Sequence, residues 1–310
     1  MISQIHGLSS ERRGVLFAIF AHLFWGAMAY YIGLLRYVNP FEIAVNRSIW
    51  SIPIGLVVAW RFGILGAIWA ILTNPKMMAI FCFTSFLVVF NWTLYIWCIT
   101  SGRTLDASLG YFINPLMNVA AGYLFLGERF TRPQMLAIAL AVIAVLVVTL
   151  GTGVFPYIGL SLAGTFCVYG LVRKTISAGP VEGFVVEVIL TSIPLIMVEW
   201  YLFQHGEAHF GTSTYSTLML IGCGGFTAGA LIFYSLSIKL IRYSTAGILQ
   251  YLSPSIVFLT AVFVFGEHVG PWKLAAFCII WVACAIYSVF AILDERAKVA
   301  AVPEVAKAVA

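Results

Sequence analysis

The segment NPFEIAVNRSIWSIP at residues 39–53 returns, in altered letters, as GPVEGFVVEVILTSIP at residues 179–194. Asn39-Pro40-Phe41-Glu42 falls on Gly179-Pro180-Val181-Glu182 at a shift of 140, and Ser51-Ile52-Pro53 falls on Ser192-Ile193-Pro194 at 141. Both segments open on a proline, which suits a first helical turn because its missing N–H is not needed there. Both then run apolar, interrupted at matching positions by one charged side chain, Arg47 or Glu187. Further out the landmarks continue in order: Arg103 on Arg242, Pro115 on Pro254 and Gly127-Glu128 on Gly266-Glu267, all at 139. An ordered series at a nearly constant shift marks a chain built as two related halves.

Composition sets the medium. Of the 310 residues 62% are hydrophobic and only 9% charged, against about 25% charged in a soluble domain. Too little charge remains to cover a water-facing surface, and hydrophobicity is far too high for disorder. A helix crossing hydrocarbon needs about 20 mostly apolar residues. Ten such runs are read, at roughly 14–35, 40–60, 77–99, 104–126, 133–150, 155–172, 181–203, 215–238, 243–265 and 272–293. The expected fold is an all-α polytopic membrane protein of ten transmembrane helices. The first repeat covers 14–150, the second covers 155–293, and 294–310 forms a loosely ordered cytoplasmic tail. The first run is too long for a signal-peptide core and is read as retained.

Five spans per half is an odd number, so the second half enters the membrane from the opposite side. Such inverted repeats are the construction of many secondary transporters, which alternate access around a site near the midplane. Lys and Arg set the orientation. With both termini cytoplasmic, thirteen basic residues fall inside and Arg36, Arg103 and Lys273 outside, while Arg47 lies within a span.

Charges inside a bilayer face a cavity or a partner by default. Arg47 lies roughly 10 Å below one surface and Glu187 about 9 Å above the other, at about 1.5 Å of rise per residue. The functional reading is a cavity with a cation toward one face and an acid toward the other, Arg47 holding an anionic group and Glu187 an ammonium or a proton. The alternatives are a structural ion pair and two groups that reach water separately. Asn91, Tyr95, Tyr111, Asn114, Gln250 and Tyr251 are read as orienting groups, with His22 and Trp25 lining the same space. Apolar walls with a few convergent polar groups make a small-molecule pocket. Pro53, Pro115, Pro194 and Pro254 lie within spans, where a proline removes a backbone bond and clashes with the carbonyl four residues back. They are read as hinges that kink or open their helices.

Other signals are weaker. The six cysteines lie in apolar runs and read as small buried hydrophobes. His205, Glu207 and His209 are not spaced as HExxH, so no metal is expected. There is no Walker sequence, no GxSxG and no nucleophile–base pair, so neither a cofactor nor an enzyme activity is expected. Basic residues form no phosphate-tracking stripe, which argues against nucleic acid. Glu128 and Glu267, at span ends, are read as interfacial or helix-tethering groups.

Asn91-Trp-Thr-Leu-Tyr-Ile-Trp, Ala107-Ser-Leu-Gly-Tyr-Phe-Ile-Asn-Pro-Leu and Leu126-Gly-Glu-Arg closely resemble the RarD family, the EamA-type "chloramphenicol-sensitive protein" members of the drug/metabolite transporter superfamily. Glu11-Arg-Arg-Gly, Trp25-Gly26, Asn46-Arg47-Ser48 and Gly247-Ile-Leu-Gln-Tyr support the match. The resemblance implies an inner-membrane permease of two EamA-like five-helix modules that exports small metabolites or drugs. The expected partners are a small-molecule substrate and the lipid bilayer, with the protein a monomer or weak dimer. A membrane-embedded binding or regulatory protein without net flux is the competing class.

Overall fold

A computed structural model describes residues 10–126, 131–238, 240–241 and 249–309, with side chains omitted at 11, 126, 235, 238, 291, 292 and from 294 onward. Gly127, Glu128, Arg129, Lys239, Arg242, Gly247 and Ile248 therefore lie outside the described residues.

The helices begin where the sequence says they should. Asn39 caps α2 (Pro40–Ile49), its side chain accepting from the Phe41 N–H at 3.0 Å. Asn74 caps α5 (Pro75–Thr100), accepting from Lys76 and Met77. The Thr131 N–H donates to Gln134 Oε1 at 2.9 Å, starting α7 (Arg132–Thr152). Each cap satisfies donors that the first turn of a helix leaves without partners.

The remaining helices are α1 (Ser10–Gly33), α3 (Ser51–Arg61), α4 (Leu65–Thr73), α6 (Thr104–Leu126), α8 (Tyr157–Thr175), α9 (Pro180–Gln204), α10 (Thr214–Ile238), α11 (Leu252–Leu259, continued as a π-helical turn to Val264) and α12 (Pro271–Val309). Among the described residues there is no strand, and seven helical segments are long and apolar enough to cross a membrane. The molecule is an all-helical polytopic membrane protein. Large apolar side chains such as Leu150, Phe263, Met197 and Trp60 face outward, where a soluble protein would not collect them but lipid accepts them. Buried polar groups including His22, Arg47, Asn91, Asn114 and Glu187 line the interior instead.

Between α3 and α5, Leu65–Thr73 forms a further short apolar helix, too brief to register as a span. Two expectations are corrected. The tail is not loosely ordered, for α12 continues to Val309, in keeping with its Ala-rich sequence. Cys82 and Cys278 are exposed rather than buried, since the outward face of a membrane helix is itself apolar.

The prolines divide into two kinds. The span containing Pro53 breaks at Trp50, between α2 and α3, one residue past the Ile49 carbonyl that the ring crowds. Pro254 likewise follows a turn at Gln250–Tyr251, which separates the helical Leu249 from α11. Pro115 and Pro194, by contrast, sit inside unbroken helices; the ladder closes around one missing bond.

Packing pairs helices from both parts of the chain. α1 packs on α10 and α11, α8 on α5 and α6, α2 on α9 and α10, α5 on α9, α6 on α11, and α7 on α12. α6 and α8 approach closely at two glycines: a Cβ on Gly110 would lie 2.5 Å from the Gly159 carbonyl oxygen. At one end of the bundle, called the Glu42 end, Glu267 accepts from the N–H groups of Thr104 and Leu105 at 2.7 and 2.9 Å. There Lys273 pairs with Asp106 at 2.8 Å and the Tyr37 hydroxyl meets Ser216 at 3.1 Å. Glu267 thus tethers a helix, as one of its expected roles required.

Candidate functional site

Arg47 projects from α2 into the centre of the bundle and is only 4% exposed. Its Nε donates to Thr227 Oγ1 at 2.8 Å, and its guanidinium lies 4.2 Å from the centroid of the Trp92 ring. Nη1 is buried without a hydrogen-bond partner. Among the described residues no carboxylate stands within ion-pair distance of it. A buried cation is ordinarily paired or hydrogen-bonded throughout, so this one carries unspent capacity for an anion.

Beside it the expected polar groups gather in part. The Tyr111 hydroxyl donates to Asn91 Oδ1 at 3.0 Å, and the Tyr95 and Tyr111 rings meet edge-on at 5.4 Å. Asn91 Nδ2 donates to the Leu162 carbonyl and Thr165 Oγ1 at 2.8 and 2.9 Å, fastening α5 to α8. Asn91 is therefore saturated by protein. Asn114, one helical turn from Tyr111, is buried with its Oδ1 unsatisfied.

Glu187 sits elsewhere. Its carboxylate accepts from the Thr84 and Tyr169 hydroxyls at 2.8 and 3.0 Å, with Arg173 Nε at 3.9 Å. Its cationic neighbour is thus Arg173 of α8 rather than Arg47. Thr84 comes from α5, distant in sequence, whereas Tyr169 and Arg173 come from α8, the helix just before α9; the apolar context of Thr84 and Tyr169 gave no signal for them.

The other proposed residues form separate groups. The His22 and Trp25 rings lie 5.3 Å apart, tilted at 53°, with Tyr234 5.4 Å from Trp25, and His22 Nδ1 meets Ser253 Oγ at 3.0 Å, joining α1 to α11. Tyr251 turns away, stacking on Phe112 at 6.2 Å within an apolar cluster of α6, α7, α11 and α12. Gln250 is half-buried at the helix break.

At the Glu42 end lies a contact the sequence did not announce. Glu42 is fully buried and accepts from the backbone N–H groups of His209 and Phe210 at 2.6 and 2.7 Å, with His209 Nδ1 at 3.2 Å. His209, considered above for its metal-like spacing, thus has a carboxylate partner. Asn46 bridges from the Glu42 carbonyl to Glu199 at 3.0 and 3.4 Å.

The EamA-like transporter family matches residues 12–150. Protein RarD of Salmonella typhi is 39% identical over 296 residues, spanning 93% of this chain and 98% of its own length. The chain belongs to the RarD family. RarD of Escherichia coli (strain K12) is 37% identical over 289 residues, covering 92% of this chain and 97% of that one. The chloramphenicol-sensitive protein RarD of Pseudomonas aeruginosa is 32% identical over 275 residues, covering 87% and 92%. A crystal structure of 16% identity superposes with a TM-score of 0.62, covering 91% of this chain and 99% of that one, and so shares its fold. RarD membership makes this chain a membrane transporter-family protein.

Proposed function

We propose that this RarD-family protein is a secondary transporter that moves small anionic or zwitterionic solutes across the inner membrane by alternating access, in the direction of export. The observation that carries the reading is the buried Arg47 guanidinium, which faces Trp92 and Thr227, lacks a carboxylate among the described residues and leaves Nη1 open. A solute carboxylate or phosphate would complete its coordination, with the aromatic faces of Tyr95, Tyr111 and Trp92 beside it. Glu187, caged by two hydroxyls and Arg173, is suited to carry the exchanged proton.

Ten spans in two inverted halves, 14–150 and 155–293, supply the mechanism. The packing partners support this reading. Exchanging each helix for its counterpart at the repeat shift turns α1 on α10 into α8 on α5, α1 on α11 into α8 on α6, and α2 on α10 into α9 on α5; every product is an observed packing pair. α2 on α9, α6 on α11 and α7 on α12 map onto themselves. The bias of basic residues supports a reading with both termini in the cytoplasm and the Glu42 end outside.

Solute counterflow in proteoliposomes tests the proposal. The solutes are chosen by thermal stabilisation of the detergent-solubilised protein across amino acids, other carboxylates, nucleosides and antibiotics, because binding to the folded state raises its stability by mass action. Saturable exchange of an anionic or zwitterionic solute is expected. Binding without exchange would instead mark a membrane-embedded receptor.

A further inference from the structure

Glu42 and Glu182 are repeat equivalents, each in the first turn of its span, yet the structure treats them differently. Glu42 is fully buried and holds two backbone N–H groups of the 205–213 loop, which connects α9 to α10 in the other half. Glu182 is half-buried and, among the described residues, has no hydrogen-bond donor or cation in contact. It folds back over Gly179, where a Cβ would collide with its carboxylate.

The loops facing the two acids are also equivalents. Two residues past the last residue of α3 and of α9 stand Gly63 and Gly206, both left-handed, with φ of 68° and 71°. The Gly63 N–H donates to the Trp60 carbonyl and the Gly206 N–H to Phe203. Ile64 donates to Ala59 as Glu207 donates to Leu202. These pairs share a shift of 143, which carries His209 and Phe210, the donors to Glu42, onto Gly66 and Ala67. Gly66 and Ala67 belong to the first turn of α4, whose N-cap position is Ile64 and which receives no side-chain cap; the Ala67 N–H turns back to the Ile64 carbonyl at 3.1 Å. The turn is exposed, and nothing lies within 4 Å of a Cβ at Gly66. α9, which carries Glu182, packs directly on α4, with Val181, Ile64 and Ile68 in one apolar cluster.

Resting on the inverted-repeat transport reading, we propose that Glu42 and Glu182 are a pair of alternating gate latches. Glu42 clasps the 205–213 loop when the outer face is shut, as in this structure. Glu182 clasps the first turn of α4 when the inner face is shut, and the two are never engaged together. A carboxylate suits the task because charge-assisted bonds to N–H groups are about twice as strong as neutral ones, and a helix N-terminus favours negative charge. Each latch joins the two halves, so engaging one holds the bundle closed at that end and splayed at the other.

Hydrogen–deuterium exchange of the whole protein in lipid nanodiscs tests this without any solute. In Glu42→Gln, exchange in peptides spanning 205–213 should accelerate about tenfold while that of 62–67 slows, because the population moves toward the outward-open state. In Glu182→Gln the changes should reverse: faster at 62–67, slower at 205–213. Among the described residues Glu182 has no hydrogen-bond or ionic partner to lose, so its variant folds and carries the test even if Glu42→Gln does not. A silent Glu182→Gln overturns the proposal, as does a Glu42→Gln that loosens 205–213 without slowing 62–67. Unopposed changes with counterflow intact overturn the latches alone; absence of counterflow in the wild-type protein overturns the transport reading, while opposed exchange changes would still report the latch pair.

Discussion

Replacing Arg47 by methionine separates a solute-binding cation from a structural one. The substitution removes the charge, keeps most of the volume and leaves the side chain among the same neighbours. Arg47 now gains one charged hydrogen bond to Thr227, worth about 1.5–3 kcal/mol, and a contact with the Trp92 face, worth about 2 kcal/mol when desolvated. Against these stands an effective desolvation penalty of several kcal/mol for a buried ion. The Thr227 hydroxyl keeps its bond to the Cys223 carbonyl at 3.0 Å, so the variant orphans no donor there. The terms nearly cancel, and Arg47→Met should unfold in detergent within about 1 kcal/mol of the wild type, or later than it. Transport should respond differently. Deleting one partner of a buried, hydrogen-bonded charge pair costs about 2–5 kcal/mol, which is a loss of about 30-fold or more in solute affinity. The assay pairs an unfolding midpoint with the concentration dependence of counterflow. A variant destabilised by more than about 3 kcal/mol, the loss expected when a structurally paired charge is broken, would refute the reasoning. So would wild-type exchange.

Three further outcomes follow from the same geometry. Glu187→Gln should abolish uptake driven by a proton gradient while leaving solute counterflow within about threefold of wild type, about 0.65 kcal/mol; equal loss of both would make Glu187 a structural group held by Thr84, Tyr169 and Arg173. Gly110→Ala sets a Cβ 2.5 Å from the Gly159 oxygen and should lower stability by about 1–3 kcal/mol through overpacking. Gly164→Ala, whose Cβ meets only Met117 at 3.8 Å, should be neutral, and equal unfolding midpoints would contradict the close approach. Pro254→Ala should let α11 close through Gln250–Tyr251, raising stability and slowing exchange, read as a higher midpoint with a lower counterflow rate; a faster rate would remove the hinge.

The sequence carried the helix starts because their causes are local. Asn-Pro at residues 39–40 and 74–75 and Thr131 with Gln134 need only neighbouring backbone to work. Arg47 and the Asn91–Tyr95–Tyr111 group were legible for a related reason: a charge deep in an apolar run, and polar residues four apart on one helix, depend little on what surrounds them. What stayed hidden was set by tertiary contact. The choice of Arg173 over Arg47 as the cation near Glu187 follows from how α8 and α9 both pack on α5, and no spacing encodes it. Tyr251 joins Phe112 instead of the Arg47 region because the break at Gln250–Tyr251 sets its direction.

The central claim is that two oppositely threaded halves rock about Arg47, and paired inter-label distances test it most directly. Spin labels at Ser101 and Thr212 report the Glu42 end, and labels at Phe62 and Ser177 report the opposite end, all four positions being exposed. The measurements use a protein whose exposed Cys82 and Cys278 are replaced by serine. On adding a solute that stabilises the protein, the account predicts that one distance lengthens while the other shortens. Distances that move in the same direction, or do not move while counterflow proceeds, would contradict it.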